Sequence, residues 1–470
     1  QPPRRNRCAA AVACSVLRVP SSPVTEATFL RLLGRRDVIA LAFGAMIGWS
    51  WVVLAGDWIA SAGVLGAVGA FVVGGLIMAL IGLTYAELAA ALPFAGGEHV
   101  YATRALGPGW AFFCTWAITL GYVSVCAFEA VALPTVVATF LPALNEGALW
   151  TVAGWTVTLP WLLVGAGAAG LITVLNVIGV RPAAVVQSVV VGAVLLVGLL
   201  FLTGVAVLPA GGDLSPLSVG GTTGFVTVLV MVPFLFVGFD VIPQAAEEIA
   251  VPQRAMGQLI IVSVLLAAAW YAAIILGVAL ALPVDARNDA GLVTADAMGA
   301  VWGSAGSTAL VLAGLGGILT SWNAFVVGGS RALYAMAAAG QLPAAFAELH
   351  PRFRTPYRAV MLIGALSVLA PLFGRPALVW LVNAGGLGIV IAYATVALAF
   401  LALRRREPTL ERPYVAPIGS IVGGAALFLA LALALLYLPG SPAALSWPAE
   451  WLIIIVWAII GYVFWLRRSN

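Results

Sequence analysis

The chain is a succession of long apolar runs separated by short polar segments. A helix that crosses the hydrocarbon core of a bilayer needs about 20 predominantly apolar residues. Twelve runs approach or exceed that length, and together they predict an all-α integral membrane protein with 12 transmembrane helices. In chain order, spans 1 to 12 are predicted at residues 38–58, 64–92, 110–141, 157–178, 183–208, 222–246, 256–282, 305–335, 357–373, 377–403, 416–438 and 449–466.

Two of these runs contain residues that interrupt a helix. Span 6 includes VPFLFVGFDVIPQ at residues 232–244, and span 1 includes FGAMIGWSWVVLAG with Gly48 in its middle. Pro233 removes a backbone donor, Gly238 loosens the helix, and the Asp240 carboxylate costs roughly 2.5–3.5 kcal/mol at the bilayer centre. Such interrupted spans at matching places of two halves indicate a midplane substrate site in a secondary transporter.

The matching interruptions divide the chain. Spans 1 and 6 are five spans apart and run in opposite directions, which predicts a five-plus-five inverted repeat. We therefore predict an N-terminal cytoplasmic segment, two inverted repeats and a C-terminal helix pair, at residues 1–36, 37–208, 222–403 and 415–467. Residues 1–23 lack an initiator methionine and are interpreted as a non-native leader; their faint likeness to a signal peptide is disfavoured because the apolar run is short.

Composition supports the membrane assignment and narrows the function. Hydrophobic residues make up 63% of the chain and charged residues 9%, with a mean hydropathy of +1.10, whereas soluble domains are about 25% charged. With a cytoplasmic N-terminus, only Arg287 and Arg375 of the 22 basic residues fall outside. The positive-inside rule then predicts a multi-pass protein of the cell inner (cytoplasmic) membrane with both termini cytoplasmic. The arginines follow topology, so the net charge of +4 does not indicate nucleic acid.

Several chemistries find no support in the sequence. His99 and His350 are the two histidines, both in predicted cytoplasmic loops, and nothing stands at metal-ligand spacing. The four cysteines suggest no disulfide framework. A channel would need a continuous polar lining, but the polar residues concentrate at the two interruptions. We therefore expect a protein that is not an enzyme and has no metal and no cofactor.

Three further stretches carry a family resemblance. The segments are YAELAAALPFAGGEHVYATRALGPGWAFFCTW at residues 85–116, EEIAVPQR at 247–254 and SRALYAMAAAGQLPAAFAELHPRFRTPYRAV at 330–360. Together with residues 232–244 they resemble the amino acid–polyamine–organocation (APC) permeases, which have the LeuT-type fold, over residues 37–467. The chain departs from the family pattern at His99, where tyrosine is common, and at Val251, where asparagine is usual.

The resemblance implies which residues bind the substrate. In the family, a Gly-Ser/Ala-Gly motif in span 1 holds the substrate carboxylate with its backbone amides; this chain has Gly48-Trp49-Ser50 instead, so either Trp49 turns away from the cavity or the substrate is small or unusual. Phe234 stands where the family has a gating aromatic, and Phe325 holds a lid position, although aromatic residues there could equally pack. The implied binding set is Gly44, Ile47, Gly48, Trp49, Ser50, Glu129, Phe234, Gly238, Asp240, Trp322, Asn323 and Phe325. Asn323 could bind the ligand or a neighbouring helix.

The intramembrane acids have more than one possible role. Asp240 stands where related antiporters have a proton-sensing carboxylate, and a carboxyl group out of water suits proton uptake and release. It could equally bind the substrate's ammonium group, or cap the unwound backbone. Glu129 in span 3 is a second candidate for amine binding or proton relay, with an interhelical hydrogen bond as the alternative. Glu87 and Arg331 are inner-gate candidates, either together or with Glu247 or Glu248 pairing a loop arginine, unless they extend to the interface.

The sequence leaves the driving force open. Some proton-coupled relatives carry a lysine in span 5, but this chain has no lysine. Proton coupling through Asp240 or Glu129, sodium binding at Thr320, Ser321 and Ser330, and obligate exchange all fit. We predict a secondary active transporter of amino acids or small amino-acid-derived amines that works by alternating access with proton coupling, its partners being this small-molecule substrate and the lipid bilayer. The alternatives are an exchanger, a sodium-coupled symporter, or a nutrient-sensing transceptor without net transport.

Overall fold

A computed structural model describes residues 29–208, 211–289 and 292–467, and they are almost entirely helical. Eleven of the described helices are long and apolar enough to cross a membrane, so the chain is a multi-pass membrane protein. Two of these eleven segments, Arg35–Val53 and Gly221–Gln244, are each divided into shorter helices, and Tyr357–Phe373 is apolar but shorter than the eleven. The individual helices of 13 or more residues are Arg35–Ile47, Val64–Ala91, Pro108–Phe140, Leu159–Ile178, Val180–Val207, Gln253–Ala281, Val293–Ala338, Tyr357–Leu369, Ala377–Arg406, Gly419–Leu436 and Ala449–Arg467. Shorter helices are Ser50–Val53, Ala55–Ala62, Glu98–Leu106, Gly221–Leu229, Val232–Phe236, Val241–Gln244 and Val284–Asp289, and 3-10 turns cover Pro142–Asn145, Ala246–Glu248, Ala344–Ala347 and Ala370–Phe373.

The helices follow the predicted spans with two differences. Span 9 is the helix Tyr357–Leu369 completed by the turn Ala370–Phe373, and it is shorter than the other spans. Span 8 belongs to the helix Val293–Ala338, which is bent at Gly303, where φ is +71°. The predicted leader, residues 1–23, lies outside the described residues.

The structure adds one element that the all-α prediction does not include, a short β-hairpin between spans 3 and 4. Strands Ala148–Val152 and Trp155–Thr158 pair antiparallel. Ala153 and Gly154 connect them with φ of +46° and +80°, the positive pair that a tight hairpin turn requires. Alternating threonine and aromatic residues favour strands over helix here, and the indole of Trp150 donates to the Leu372 carbonyl at 2.9 Å.

The spans pack as pairs around a dense centre. Span 2 packs along span 7, span 3 along span 10, span 4 along span 9, and span 8 along spans 3 and 5. Span 12 is largely exposed along its length, as expected for a helix that faces lipid. We call the face that carries Arg35, Arg104 and Arg331 the basic face, and the face that carries Asp57 and Arg375 the opposite face.

Candidate substrate site

Span 1 is interrupted at Gly48. The helix Arg35–Ile47 ends there, with φ of +29° at Gly48, and a new helical turn begins at Ser50. This backbone conformation favours glycine. An added Cβ at Gly48 would lie 3.4 Å from Ser321 in span 8 and 3.7 Å from Glu129 Oε1 in span 3. The interruption therefore lies where spans 1, 3 and 8 meet.

Span 6 is interrupted at Gly238. The turn Val232–Phe236 ends at an extended Val237, Gly238 has φ of +138°, and helical structure resumes at Val241. Asp240 caps the interruption, because its Oδ1 accepts the Gly238 N–H at 2.6 Å. Its Oδ2 accepts the hydroxyl of Tyr122 in span 3 at 2.6 Å. Asp240 is completely buried and both of its oxygens have partners.

The two interruptions pack against each other, and one tyrosine hydroxyl contacts backbone carbonyls of both spans. A Cβ at Gly238 would lie 2.7 Å from Ala45 Cβ in span 1. The hydroxyl of Tyr271 in span 7 donates to the Met46 carbonyl of span 1 at 2.6 Å and lies 3.4 Å from the Leu235 carbonyl of span 6. The Ser50 hydroxyl lies 2.8 Å from the same phenol. These contacts satisfy carbonyl groups that interrupted helices leave free in a membrane.

A small cavity lies between the two interrupted spans, beside Gly48 of span 1 and the turn of span 6 that precedes Gly238. Its volume is about 40 Å³, close to the volume per molecule of liquid water, about 30 Å³. Bound substrate therefore requires side chains around it to move. The lining residues come from spans 1, 3, 6, 8 and 10 and are Ala45, Met46, Gly48, Trp49, Ser50, Leu54, Val125, Phe128, Glu129, Met231, Phe234, Leu235, Ser321, Phe325 and Val382.

A vestibule connects this cavity to the opposite face. It has a volume of about 950 Å³ and shares Trp49, Ser50 and Phe128 with the small cavity. The Trp49 indole lies against Gly314 of span 8, where an added Cβ would meet its ring at 1.8 Å. Trp49 therefore lies beside the route from the vestibule to the cavity, and the glycine of span 8 provides the space for its ring.

Glu129 is an acidic side chain of the cavity lining. It is 2% exposed and interacts with the Ser321 hydroxyl. Its second oxygen, Oε2, is buried with no hydrogen-bond partner among the described residues. An unsatisfied buried polar atom costs about 1–3 kcal/mol, and more when the group is charged. The carboxyl group is therefore placed to take a hydrogen-bond donor that enters the cavity.

The predicted binding residues fall into two groups. Gly48, Trp49, Ser50, Glu129, Phe234 and Phe325 line the cavity. The structure places the others away from it. Gly238 is buried against span 1, and Asp240 is buried against Tyr122 of span 3. Ile47 and Trp322 are buried in contacts between helices. Asn323 bridges helices by accepting from Asn176 at 3.0 Å and donating to Gln187 at 3.1 Å.

Gly44 also serves helix packing. An added Cβ there would lie 2.8 Å from Gln187 Nε2 and 2.5 Å from Val191 in span 5. Span 1 therefore approaches span 5 closely at this residue, away from the cavity.

The sequence reasoning missed part of the apolar lining, including Phe128 and Met231. Phe128 immediately precedes Glu129 and its ring lies 6.1 Å from that of Phe234. Adjacent residues of a helix point in different directions. The prediction that Glu129 faces the cavity therefore does not indicate that Phe128 faces it as well. Ser321 was considered only as a sodium ligand, whereas the structure puts it beside Glu129 and Gly48.

The basic face is closed below the cavity by a buried ion pair. Arg331 of span 8 contacts Glu248, at the end of span 6, through two hydrogen bonds of 2.7 and 3.2 Å. Both side chains are at most 2% exposed. The segment before span 1 covers the pair: the N–H groups of Leu32 and Leu33 each donate to the Glu248 carbonyl at 3.0 Å. The Phe29 ring lies 5.8 Å from the Arg331 guanidinium.

The expected pair between Glu87 and Arg331 is not formed. Glu87 binds Arg404, and it also contacts Arg412 at 3.0 Å and the Ala416 N–H at 2.8 Å. Glu87 therefore attaches span 2 to the segment between spans 10 and 11. Glu248 pairs instead with Arg331 of span 8, whereas the other expectation paired Glu247 or Glu248 with a loop arginine.

Replacing Arg331 with methionine should lower the melting temperature of the detergent-purified protein markedly. The change leaves the Glu248 carboxylate buried without its partner, and such a loss typically costs about 3–5 kcal/mol. The double variant Arg331→Met/Glu248→Gln removes both charges and should recover most of the melting temperature. If Arg331→Met has the same melting temperature as the unmodified protein, the ion pair contributes no stability.

Comparison with known proteins agrees with this architecture. The sequence profile of the family described as "Amino acid permease" matches residues 33–462. A branched-chain amino acid permease of Bacillus subtilis is 29% identical over 95% of this chain and 94% of its own length. A methylthioribose transporter of the same organism is 27% identical over 97% and 96%, and its aspartate–proton symporter is 26% identical over 85% and 78%. The resemblance to the APC permeases is thereby confirmed, and this chain belongs to the amino acid permease family.

Proposed function

We propose that this protein is a secondary active transporter that moves neutral amino acids with apolar side chains across the cytoplasmic membrane by alternating access. The observation that carries the proposal is the position of the small cavity. It lies between two interrupted spans, opens through a vestibule to one face, and is closed from the other by the Glu248–Arg331 pair. A carrier needs such a site, reached from one side at a time.

We propose that the architecture is the LeuT-type five-plus-five inverted repeat with twelve spans, the basic face being cytoplasmic. Span 2 packs along span 7 and span 4 along span 9, and these are equivalent helices of the two proposed repeats. The interruptions at Gly48 and Gly238 are likewise equivalent. On this model the helix Tyr357–Leu369 crosses the membrane as span 9.

The chemistry of the cavity favours a zwitterion. In an α-amino acid the carboxylate and the ammonium group are attached to the same carbon atom. The unwound backbone that follows Gly48 offers N–H groups to the carboxylate. The Glu129 carboxyl group lies beside that backbone, and its Oε2, which has no hydrogen-bond partner in the described part of the chain, can accept from the ammonium group. Phe128, Phe234 and Phe325 line the space left for the side chain. The name of the branched-chain relative describes a substrate of this kind.

We propose that transport is coupled to protons through Asp240 or Glu129. Both are carboxyl groups buried inside the helix bundle, where ionisable groups usually serve transport. A relative at 26% identity is named as a proton symporter. Exchange of one amino acid for another is the alternative mechanism with the same site.

The candidate sodium ligands are already engaged in hydrogen bonds. Thr320 donates to the Gly317 carbonyl at 3.0 Å and approaches the Gly44 carbonyl at 3.3 Å. Gln187 Nε2 donates to the Ala40 carbonyl at 3.2 Å. Ser330 donates to Val327 at 3.0 Å. Donor groups therefore cover oxygens that a cation would need, which favours protons over sodium.

Uptake should accordingly be independent of sodium. Replacing external Na⁺ with choline, at a membrane potential clamped by potassium and valinomycin, should leave L-leucine uptake into proteoliposomes within twofold. A drop of tenfold or more on removing Na⁺ would contradict proton coupling and restore the sodium-coupled alternative.

The function itself is tested by L-leucine uptake in proteoliposomes under an imposed pH gradient, alkaline inside. We expect accumulation that collapses when a protonophore is added, with protein-free vesicles as the control. Thermal shifts with a panel of amino acids and amines identify ligands that bind the folded protein. Ligand binding without flux would reject a carrier and support a transceptor.

A further inference from the structure

A cluster of buried polar side chains extends from Asp240 towards the basic face. We call it the tyrosine–acid cluster, made of Tyr85, Glu98, Tyr101, Tyr122, Asp240, Gln244 and Tyr393. Each of these residues is at most 1% exposed. None of them lines the substrate cavity, and apart from Asp240 the proposed transport chemistry does not use them.

Glu98 is attached to the second half of span 6. It begins the short helix Glu98–Leu106 between spans 2 and 3. Gln244, four residues after Asp240, donates to Glu98 Oε2. The loop before Glu98 is fixed to the same segment, because the Gly96 N–H donates to the Gln244 carbonyl at 3.3 Å. Glu98 and Asp240 lie close enough to interact electrostatically.

The cluster contains a concentration of unsatisfied polar atoms. Among the described residues, fifteen buried side-chain nitrogen and oxygen atoms have no hydrogen-bond partner, and five of them are here. They are Glu98 Oε1, Gln244 Oε1 and the hydroxyls of Tyr85, Tyr101 and Tyr393. Each unsatisfied atom costs about 1–3 kcal/mol, so this arrangement is a poor choice for stability alone. Groups that exchange protons need such free acceptor positions.

The tyrosines connect the two acids. Tyr85 and Tyr393 each interact electrostatically with both Glu98 and Asp240. Their rings pack against Phe239, the residue next to Asp240, at centroid distances of 5.3 and 5.4 Å, and against each other at 5.7 Å. In this conformation neither hydroxyl has a hydrogen-bond partner within the residues that the structure describes, and a phenol both donates and accepts a hydrogen bond, so either hydroxyl is free to pass a proton between the carboxyl groups when the cluster rearranges.

The surroundings of Glu98 favour its protonated form. No arginine of the described chain forms an ion pair with Glu98 or Asp240. Burial first, and the neighbouring Asp240 carboxyl second, raise the pKa of Glu98 well above its usual range. The titratable groups that face Glu98 come from span 2, its own helix, span 3, span 6 and span 10 and are Tyr85, Tyr101, Cys114, Tyr122, Asp240 and Tyr393.

His99 belongs to a different environment. Its Nδ1 lies 3.1 Å from the Thr115 hydroxyl, and burial lowers its pKa to about 4. It is therefore neutral at physiological pH and holds the short helix against span 3.

We propose that Glu98 is the proton-exchange residue that connects Asp240 to the basic face, a role that rests on the proposed proton-coupled transport. In the step, the O–H bond of protonated Asp240 breaks and its proton goes to a tyrosine hydroxyl. Glu98, ionised because it has already released its earlier proton at the basic face, accepts the tyrosine's own proton, and a new O–H bond forms there. The tyrosine is unchanged, and Glu98 then releases the proton when the basic face opens.

The test separates net transport from exchange. Net uptake of L-leucine driven by a pH gradient requires proton release at the basic face. Exchange of internal for external L-leucine at equal pH does not, because the carrier returns loaded. We expect Glu98→Gln to lower gradient-driven uptake at least tenfold and to keep exchange within twofold. The control Glu411→Gln, an exposed acid, should leave both within twofold.

Four results would overturn the proposal. Gradient-driven uptake within twofold of the unmodified protein makes Glu98 structural, and parallel loss of uptake and exchange makes it part of binding or folding. Absence of gradient-driven uptake in the unmodified protein overturns the proposed function itself, and this inference with it. If Glu98→Gln does not reconstitute, the double variant Tyr85→Phe/Tyr393→Phe serves instead, because it keeps both rings and removes both hydroxyls. It must lower gradient-driven uptake and keep exchange. Gradient-driven uptake at the unmodified rate in this variant rejects the relay.

Discussion

Replacing Glu129 with glutamine should reduce L-leucine uptake at least a hundredfold while the protein still folds. Glu129 is buried in the cavity lining, and its Oε2 has no partner among the described residues. Hydrogen bonds to charged groups are worth about 1.5–3 kcal/mol, and a hundredfold effect corresponds to roughly 2.7 kcal/mol. The amide preserves the size of the side chain but removes the negative charge that the substrate's ammonium group meets. Initial uptake rates and leucine-induced thermal shifts measure the loss.

Two variants bracket this expectation. Glu129→Asp keeps the charge on a shorter side chain and should retain more uptake than Glu129→Gln. Glu146→Gln changes an exposed acid and should leave uptake within twofold. If Glu129→Gln transports within threefold of the unmodified protein, then Glu129 does not hold the ammonium group, and its role is an interhelical hydrogen bond with Ser321.

Replacing Gly238 with alanine should abolish transport and lower the melting temperature. Gly238 has φ of +138°, and an added Cβ would lie 2.7 Å from Ala45 Cβ and 3.1 Å from the Met46 backbone nitrogen. The substitution therefore strains the backbone and separates the two interruptions, which must stay in contact to form the cavity. Uptake and thermal unfolding of the purified protein check the two effects.

The matched control is Gly424→Ala in span 11, where an added Cβ meets nothing within 4 Å. It should change neither uptake nor melting temperature appreciably, because alanine fits a helix at least as well as glycine. Transport by Gly238→Ala at the unmodified rate would show that the contact between spans 1 and 6 is not needed for function.

The interruptions were predictable because they use residues that a membrane helix penalises. Gly48 and Gly238 stand out in apolar runs, and the structure departs from helical geometry at both. The direction of Asp240 was not predictable. Once the backbone leaves the helix, helical periodicity no longer places a side chain, and Asp240 turns to Tyr122 and away from the cavity.

Contacts between distant segments account for the remaining differences. Trp49 lines the cavity, and its ring fits against Gly314, a residue of span 8 that carries no sequence signal linking it to span 1. Glu87 and Arg404 are likewise 317 positions apart in the chain. Membrane spans are uniformly apolar, so their sequence predicts where helices are but contains little information on which faces meet.

The phenol of Tyr271 has a mechanical consequence. One hydroxyl group holds the Met46 carbonyl and approaches the Leu235 carbonyl, so it links span 1 to span 6. Neither interrupted helix can tilt alone without giving up that contact. In the alternating-access cycle that we propose, the two interrupted spans therefore move as a linked pair.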